Sequence, residues 1–212
     1  MPKKGVEPVR REQLIRATFQ TIDEIGLAEA TVATIAKKAG LSTGIVAHYF
    51  GDKGGLLNAA MRQILRELKG AVARYRAGCE DDPRAQLRAI VDGNFDDSQT
   101  NGTAMRVWLT FWAASMHQPE LARLQRANDQ RLFSNLRHQF KRSLPPEQAT
   151  LAARGLAAMI DGLWLRGSLV GGAFNAETAR QIAYGYIDFH LGRGPDGNDA
   201  PASDVHLRQD AL

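Results

Sequence analysis

Apolar positions recur along the chain at three- and four-residue spacing, and no segment alternates in the strand manner for more than a few residues. In VRREQLIRATFQTIDEIG, the residues Leu14, Ala17, Phe19, Ile22 and Ile25 keep the helical period, and Gly26 stands where a glycine ends a helix. Thr31 reads as the N-cap of VATIAKKAG, which Gly40 terminates. Ser42 caps TGIVAHYF, and Asp52 caps a long helix, KGGLLNAAMRQILRELKGAVARYRAG, running to about Gly78. Pro83 suits the first turn of a helix that continues to about Ser98. A loop at TNGT, an aromatic helix MRVWLTFWAASM, a restart at Pro119, a break at Pro145-Pro146 and a last helix after Asn175 complete the pattern. The stretch 193–212 is rich in Gly, Pro and Asp and predicts a disordered tail. The expected fold is all-α, with about nine helices.

An apolar fraction of 44% and a charged fraction of 24% are ordinary for a globular chain. No run of 18 apolar residues occurs, which argues against a membrane span, and MPKKGVEPVRREQ lacks the apolar core of a signal peptide. One cysteine, Cys79, allows no internal disulfide, and the five scattered histidines make no metal set. No Ser/His/Asp set or phosphate-binding glycine loop is present, so no catalytic residue, metal or cofactor is expected. A reducing cytoplasm is the expected compartment. Charge changes the picture more. Residues 1–70 hold eleven Lys/Arg against seven Asp/Glu, whereas residues 71–212 hold sixteen of each. The whole positive excess lies in the first third, where an anionic partner is expected.

Residues 31–50 have the spacing of a helix-turn-helix. Ala36 is small where two backbones would cross, Gly40 can take the tight turn, and Ile35, Leu41 and Val46 can share a core. The second helix then presents Thr43, Gly44, Ala47 and His48 outward, a face without bulk that suits a major groove. An ordinary helical hairpin satisfies the same spacing.

The run TVATIAKKAGLSTGIVAHYFGDKGGLL resembles the tetracycline-repressor (TetR) family of one-component regulators. Thr31, Ile35, Ala36, Gly40-Leu41-Ser42, Tyr49-Phe50, Lys53 and Leu56 all fall in the family's order, over roughly residues 8–68. The resemblance implies a DNA-binding head at 1–52, extending to about 68 with the start of the fourth helix. It also implies a ligand-sensing and dimerisation body at 69–192. Ser42, Thr43 and Gly44 would meet phosphates or base edges, with Thr31 counted among them, and Tyr49 would reach a phosphate while Phe50 turns into the core. Lys53 would add charge near a helix N-terminus, and His48 would touch a base or only a phosphate. Arg10, Arg11 and Lys3-Lys4 would embrace the DNA backbone or a minor groove. Further likeness, in LSTGIVAHYFGDKGGLLNAAMR, NGTAMRVWLTFWAASMHQPELARLQRANDQRL and GLWLRG, points to the choline-responsive branch of the family, which controls glycine betaine synthesis. That branch implies a homodimeric repressor released from operator DNA by choline or a related quaternary ammonium. A multidrug-efflux repressor sensing other cationic or lipophilic compounds is the nearer rival, and a small helical enzyme or carrier the remoter one.

All three tryptophans lie between residues 108 and 164. Trp108, Phe111 and Trp112 share one helix face, a spacing that more often marks plain core than an aromatic cage for a cation. Asp161 interrupts an apolar helix three residues before Trp164 and needs a positive partner, either an arginine (Arg106 or Arg166) or a bound ligand cation. Phe95, Asp92 and Tyr186 are further candidates for the pocket wall. The small-and-apolar stripe Ala152, Gly155, Ala158, Met159, Gly162 and Leu163, with Ile182, Tyr186 and Phe189, is the expected dimer surface.

Overall fold

The computed structural model describes residues 6–169 and 174–192, so Lys3-Lys4 and the expected tail at 193–212 lie outside the described residues. These residues form ten helices and no strand. They are α1 (Val6–Glu29), α2 (Val32–Lys38), α3 (Thr43–Phe50), α4 (Lys53–Ala77), α5 (Pro83–Asn94), α6 (Asp97–Thr100), α7 (Gly102–Ser115), α8 (Pro119–Phe140), α9 (Pro146–Leu169) and α10 (Ala176–Leu191).

Most boundaries follow from caps. Gly26 takes φ 74° and ψ 167°, so regular helix stops there and only a short turn continues to Glu29. Thr31 and Thr34 form a reciprocal capping box, with Thr34 N to Thr31 Oγ1 at 3.0 Å and Thr31 N to Thr34 Oγ1 at 2.8 Å. Asp52 accepts from Gly55 N at 2.8 Å, and Asp82, Asn101 and Asn175 do the same work for α5, α7 and α10. The helix opened by Pro83 stops at Asn94, short of the expected Ser98. Phe95 leaves the helical conformation, and Asp96 caps a new single turn, α6, by accepting from Ser98 N at 3.0 Å. That turn accounts for the tenth helix.

In the head, α1 and α3 each pack against α2 and α4, around Leu14, Ile22, Ile35, Val46 and Leu56. The hydroxyls of Thr18 and Thr21, buried in that core, return to the carbonyls of Leu14 and Ala17 on their own helix. α4 then leaves the head and packs on α5 more extensively than any other pair of helices. There Gly93 lies against the backbone of Val72, where an added Cβ would stand 2.5 Å from Val72 Cα and 2.7 Å from its nitrogen. Backbone cannot yield as a side-chain tip can, so Gly93→Ala is expected to cost about 1–3 kcal/mol or more, seen as a lowered midpoint in urea unfolding. An unchanged midpoint would contradict this packing. α10 is clamped to α5 by Arg84 and Arg88 around Asp188, with Arg88 Nη2 at 3.0 and 2.8 Å from the two carboxylate oxygens.

Candidate DNA interface and ligand pocket

α3 presents Ser42, Thr43, Gly44, Ala47 and His48 to solvent and buries Val46. Gly40, at φ 66°, turns the chain between α2 and α3, and Leu41 N bonds Ala36 O at 2.9 Å. Ser42 holds the N-cap position without using its hydroxyl there, which leaves that group free for another acceptor or donor. His48 and the half-buried Tyr49 lie side by side, ring centroids 5.0 Å apart.

Three of the DNA-binding candidates have internal partners. The hydroxyl of Thr31 belongs to its capping box. Arg11 donates to the Tyr49 carbonyl at 2.8 Å and lays its guanidinium 4.6 Å from the centre of the Phe50 ring, tying α1 to the end of α3. Phe50 is half-buried beneath that arginine and packs against the core. Lys53 donates to the Leu27 carbonyl at 3.1 Å. Arg10 is half-buried.

In the body, the three indoles converge although they come from two helices distant in sequence. Trp112 lies 5.1 Å from Trp164 and 6.4 Å from Trp108, centroid to centroid. Trp108 is anchored by donating to Gln99 Oε1 at 3.1 Å. They line one pocket with Leu68, Gln99, Gln125, Ile160 and Asp161. Asp161 stands at its mouth, reached by water on one side, yet crowded enough by protein atoms that desolvation pushes its carboxyl up to about 6, helped by the nearby charge of Asp129. Water on that side screens the group, so the crowding is better read as a preference than as an energy.

Among the described residues, no arginine pairs with Asp161. Arg106 is committed to Asp23, and neither it nor Arg166 forms an ion pair with Asp161 among the described residues. Two further polar atoms in this pocket are buried and unpartnered, the Trp112 Nε1 donor and the Gln125 Oε1 acceptor. Other candidates are placed elsewhere. Phe111 is fully buried in the core, and Phe95, also fully buried, packs on Phe174 at 5.7 Å, so neither lines the cage. Asp92 accepts from Tyr184 on α10, and Tyr186 fills the space beside Gly155 and donates to Ala152 O at 3.3 Å. Gln99, Gln125 and Asn128, which do line the pocket, carried no sequence signal because isolated amides on helices are usually solvated.

α7, which carries two of the indoles, also touches the head. Its first turns supply Thr103, donating at 2.6 Å, and Arg106, both to Asp23 of α1. The Arg106 bond, chiefly, holds the Asp23 carboxyl below its ordinary range. The long α4, which runs from the head into the body, therefore has a second connection beside it.

Two models of known families match the chain. Bacterial regulatory proteins of the tetR family match residues 14–60, and the C-terminal part of BetI-type transcriptional repressors matches residues 83–192. The chain belongs to the TetR family, with a BetI-type body. The HTH-type transcriptional regulator BetI of Stenotrophomonas maltophilia is 89% identical over 191 residues, covering 90% of this chain and 97% of that protein. Its counterpart from Ectopseudomonas mendocina is 60% identical, covering 91% and 99%. Among solved structures, a TetR regulator from Haloarcula marismortui superposes with TM-score 0.76 at 24% identity, over 86% of this chain and 98% of that one. A transcriptional regulator from Saccharomonospora viridis, solved in complex with choline, superposes with TM-score 0.71 at 21% identity, over 85% and 96%. This TetR-family protein is thus a DNA-binding transcriptional repressor and not an enzyme, and no described helix is long and apolar enough to cross a membrane.

Proposed function

We propose that this repressor responds to choline or a closely related quaternary ammonium and controls genes of choline uptake and of its oxidation to glycine betaine. The observation that carries the reading is a cage of three indoles beside a carboxylate that forms no ion pair among the described residues. A trimethylammonium donates no conventional hydrogen bond, so aromatic faces and a nearby negative charge are the means of holding it. Choline's hydroxyl can donate to Gln125 Oε1 and accept from Trp112 Nε1, the two buried atoms left without partners. The choline complex of the Saccharomonospora regulator favours the same ligand class over a broad multidrug one. The test is a titration of the full chain with choline, followed by tryptophan fluorescence, beside the same titration of its complex with operator duplex. Choline is expected to perturb the indoles and release the DNA, and a silent titration overturns the reading.

The head docks on the major groove through Ser42, Thr43, Gly44 and His48, with Tyr49 at a phosphate and Arg10 beside the backbone. Thr31, Arg11 and Lys53 support that face through their internal bonds. Thr43→Ala and Tyr49→Phe should each weaken operator binding by on the order of 1 kcal/mol with unfolding midpoints unchanged. Full operator affinity in both variants would remove this docking face.

The repressor works as a cytoplasmic homodimer, whose paired heads fit half-sites about 34–36 Å apart. Ala152 and the Gly155 gap are consumed within the chain by α10, so the dimer face shifts to the exposed Leu151, Leu165 and Leu169 of α9 and Ile182 and Phe189 of α10. Phe189 is 82% exposed and Leu151 68%, an apolar display that a partner copy would cover. Sedimentation velocity should show a dimer at micromolar concentration, and Phe189→Glu should shift it toward monomer. A monomeric parent protein would overturn the assignment.

A further inference from the structure

The indole cage shares a wall with a second and roomier space. Leu68, Asn94, Asn128 and Leu132 form a wall common to the cage and to a cavity of about 270 Å³ between α4, α5 and α8. Gln125, Asn128, Leu132 and Asn135 step along α8 by three, four and three residues, so one face of that helix runs through both spaces. At 1.5 Å per residue it spans about 15 Å. On α4, Leu68, Val72 and Arg76 line the second cavity at four-residue steps.

The two spaces carry opposite charge. The cage has Asp161 in its wall and Asp129 close by. The second cavity is bounded by Lys69, Arg76 and Arg131 with three asparagine amides, and no carboxylate lines it. Arg76 is tethered to Gln86 Oε1 at 2.8 Å, whereas Lys69 and Arg131 form no ion pair among the described residues. A cavity edged by uncompensated cations and lined by amides favours an anion. Choline alone, anchored in the cage, would leave this larger space to water.

We infer that the adjoining cavities together accept zwitterionic trimethylammonium compounds, with the ammonium among the indoles and a phosphate or carboxylate at its other end in the α4–α5–α8 cavity. Lys69 and Arg131 counter the anionic charge, and Asn128 and Asn135 offer their amide N–H groups to its oxygens. This rests on the quaternary-ammonium reading of the cage and adds a second recognition element to it.

The experiment is calorimetric titration of the full chain with choline, phosphocholine, 4-(trimethylammonio)butyrate and inorganic phosphate. The parent and the double variant Lys69→Ala/Arg131→Ala are compared. The double variant should weaken phosphocholine roughly fivefold or more and leave choline within about twofold, with the difference shrinking at high salt. The butyrate arm shows whether a carboxylate serves as well as a phosphate. Trp112→Leu should weaken all the trimethylammonium ligands together. Equal phosphocholine affinity in parent and double variant overturns the inference, as does choline binding without any phosphocholine binding. Inorganic phosphate binding as tightly as phosphocholine also overturns it, because the site would then be a simple anion site. Failure of choline itself, with phosphocholine bound in a Lys69- and Arg131-dependent way, refutes the choline reading and leaves the zwitterion site standing. If nothing binds, both readings fall.

Discussion

Replacing Trp112 by leucine should lower choline affinity by roughly tenfold or more while the ligand-free repressor still binds its operator. Trp112 is the middle ring of the three, in contact distance of both Trp108 and Trp164, so its loss opens the cage on two sides at once. Leucine keeps the apolar bulk and removes the π face, so the change reports on cation recognition more than on packing. A cation over a desolvated indole contributes about 2 kcal/mol, the source of the expected factor. The indole is only half-buried and its Nε1 has no partner to lose, so folding should survive. The readout is choline affinity by calorimetry, set beside operator affinity by fluorescence anisotropy. Unaltered choline affinity would move the sensor elsewhere.

The second large effect is a dependence on pH that comes from Asp161. Its carboxyl titrates at about 6 in the ligand-free protein, and a cation prefers the ionised form. Choline should therefore bind fully above pH 7, weaken as pH falls through 6, and be roughly tenfold weaker at pH 5 than at pH 8. Asp161→Asn should flatten that profile at the weak end. Stability should run the other way. The folded carboxyl holds its proton up to about pH 6, whereas in the unfolded chain it releases it near 3.8. Between those values the unfolded state binds fewer protons, so ligand-free stability falls as pH rises, and the full cost of the ionised group persists above 6. Asp161→Asn is thus expected to raise the melting temperature at pH 8 and to match the parent at pH 4. A parent profile flat from pH 5 to 8, or an asparagine variant that melts lower at pH 8, would mean that Asp161 has a cationic partner after all.

Caps and periodicity made the helices readable in advance. Thr31, Asp52, Pro83 and Asn175 act locally, through bonds within three or four residues, and such signals survive in sequence. The break at Phe95 did not announce itself because it depends on Asp96 seizing a new cap. Indole convergence was legible in outline, since Trp108 and Trp112 share a face and Asp161 precedes Trp164 by one helical step. Which aromatics face the cage was not, because the choice between Phe111 in the core and Trp112 in the pocket depends on how α7 rolls against α8 and α9. Likewise Arg11 and Lys53 looked like phosphate ligands by type alone. Their bonds to the Tyr49 and Leu27 carbonyls arise only when distant segments meet. Ala152 and Gly155 looked like a dimer stripe, but a ring thirty residues away, Tyr186, occupies the space they leave.

The pair between Arg106 and Asp23 joins the sensor helix to the head at the surface, with the arginine side chain 59% exposed. Attraction in such a place is shielded by mobile ions, over a distance of about 10 Å at 0.1 M salt. The same ions compete for the phosphates that the head must reach, so its hold on DNA also declines as salt rises. Ionic strength therefore acts twice on one molecule, loosening the operator and slackening the grip through which α7 bears on α1. A given dose of ligand should change DNA occupancy most in dilute salt. In concentrated salt the repressor should already be part-way released, with the cage still empty.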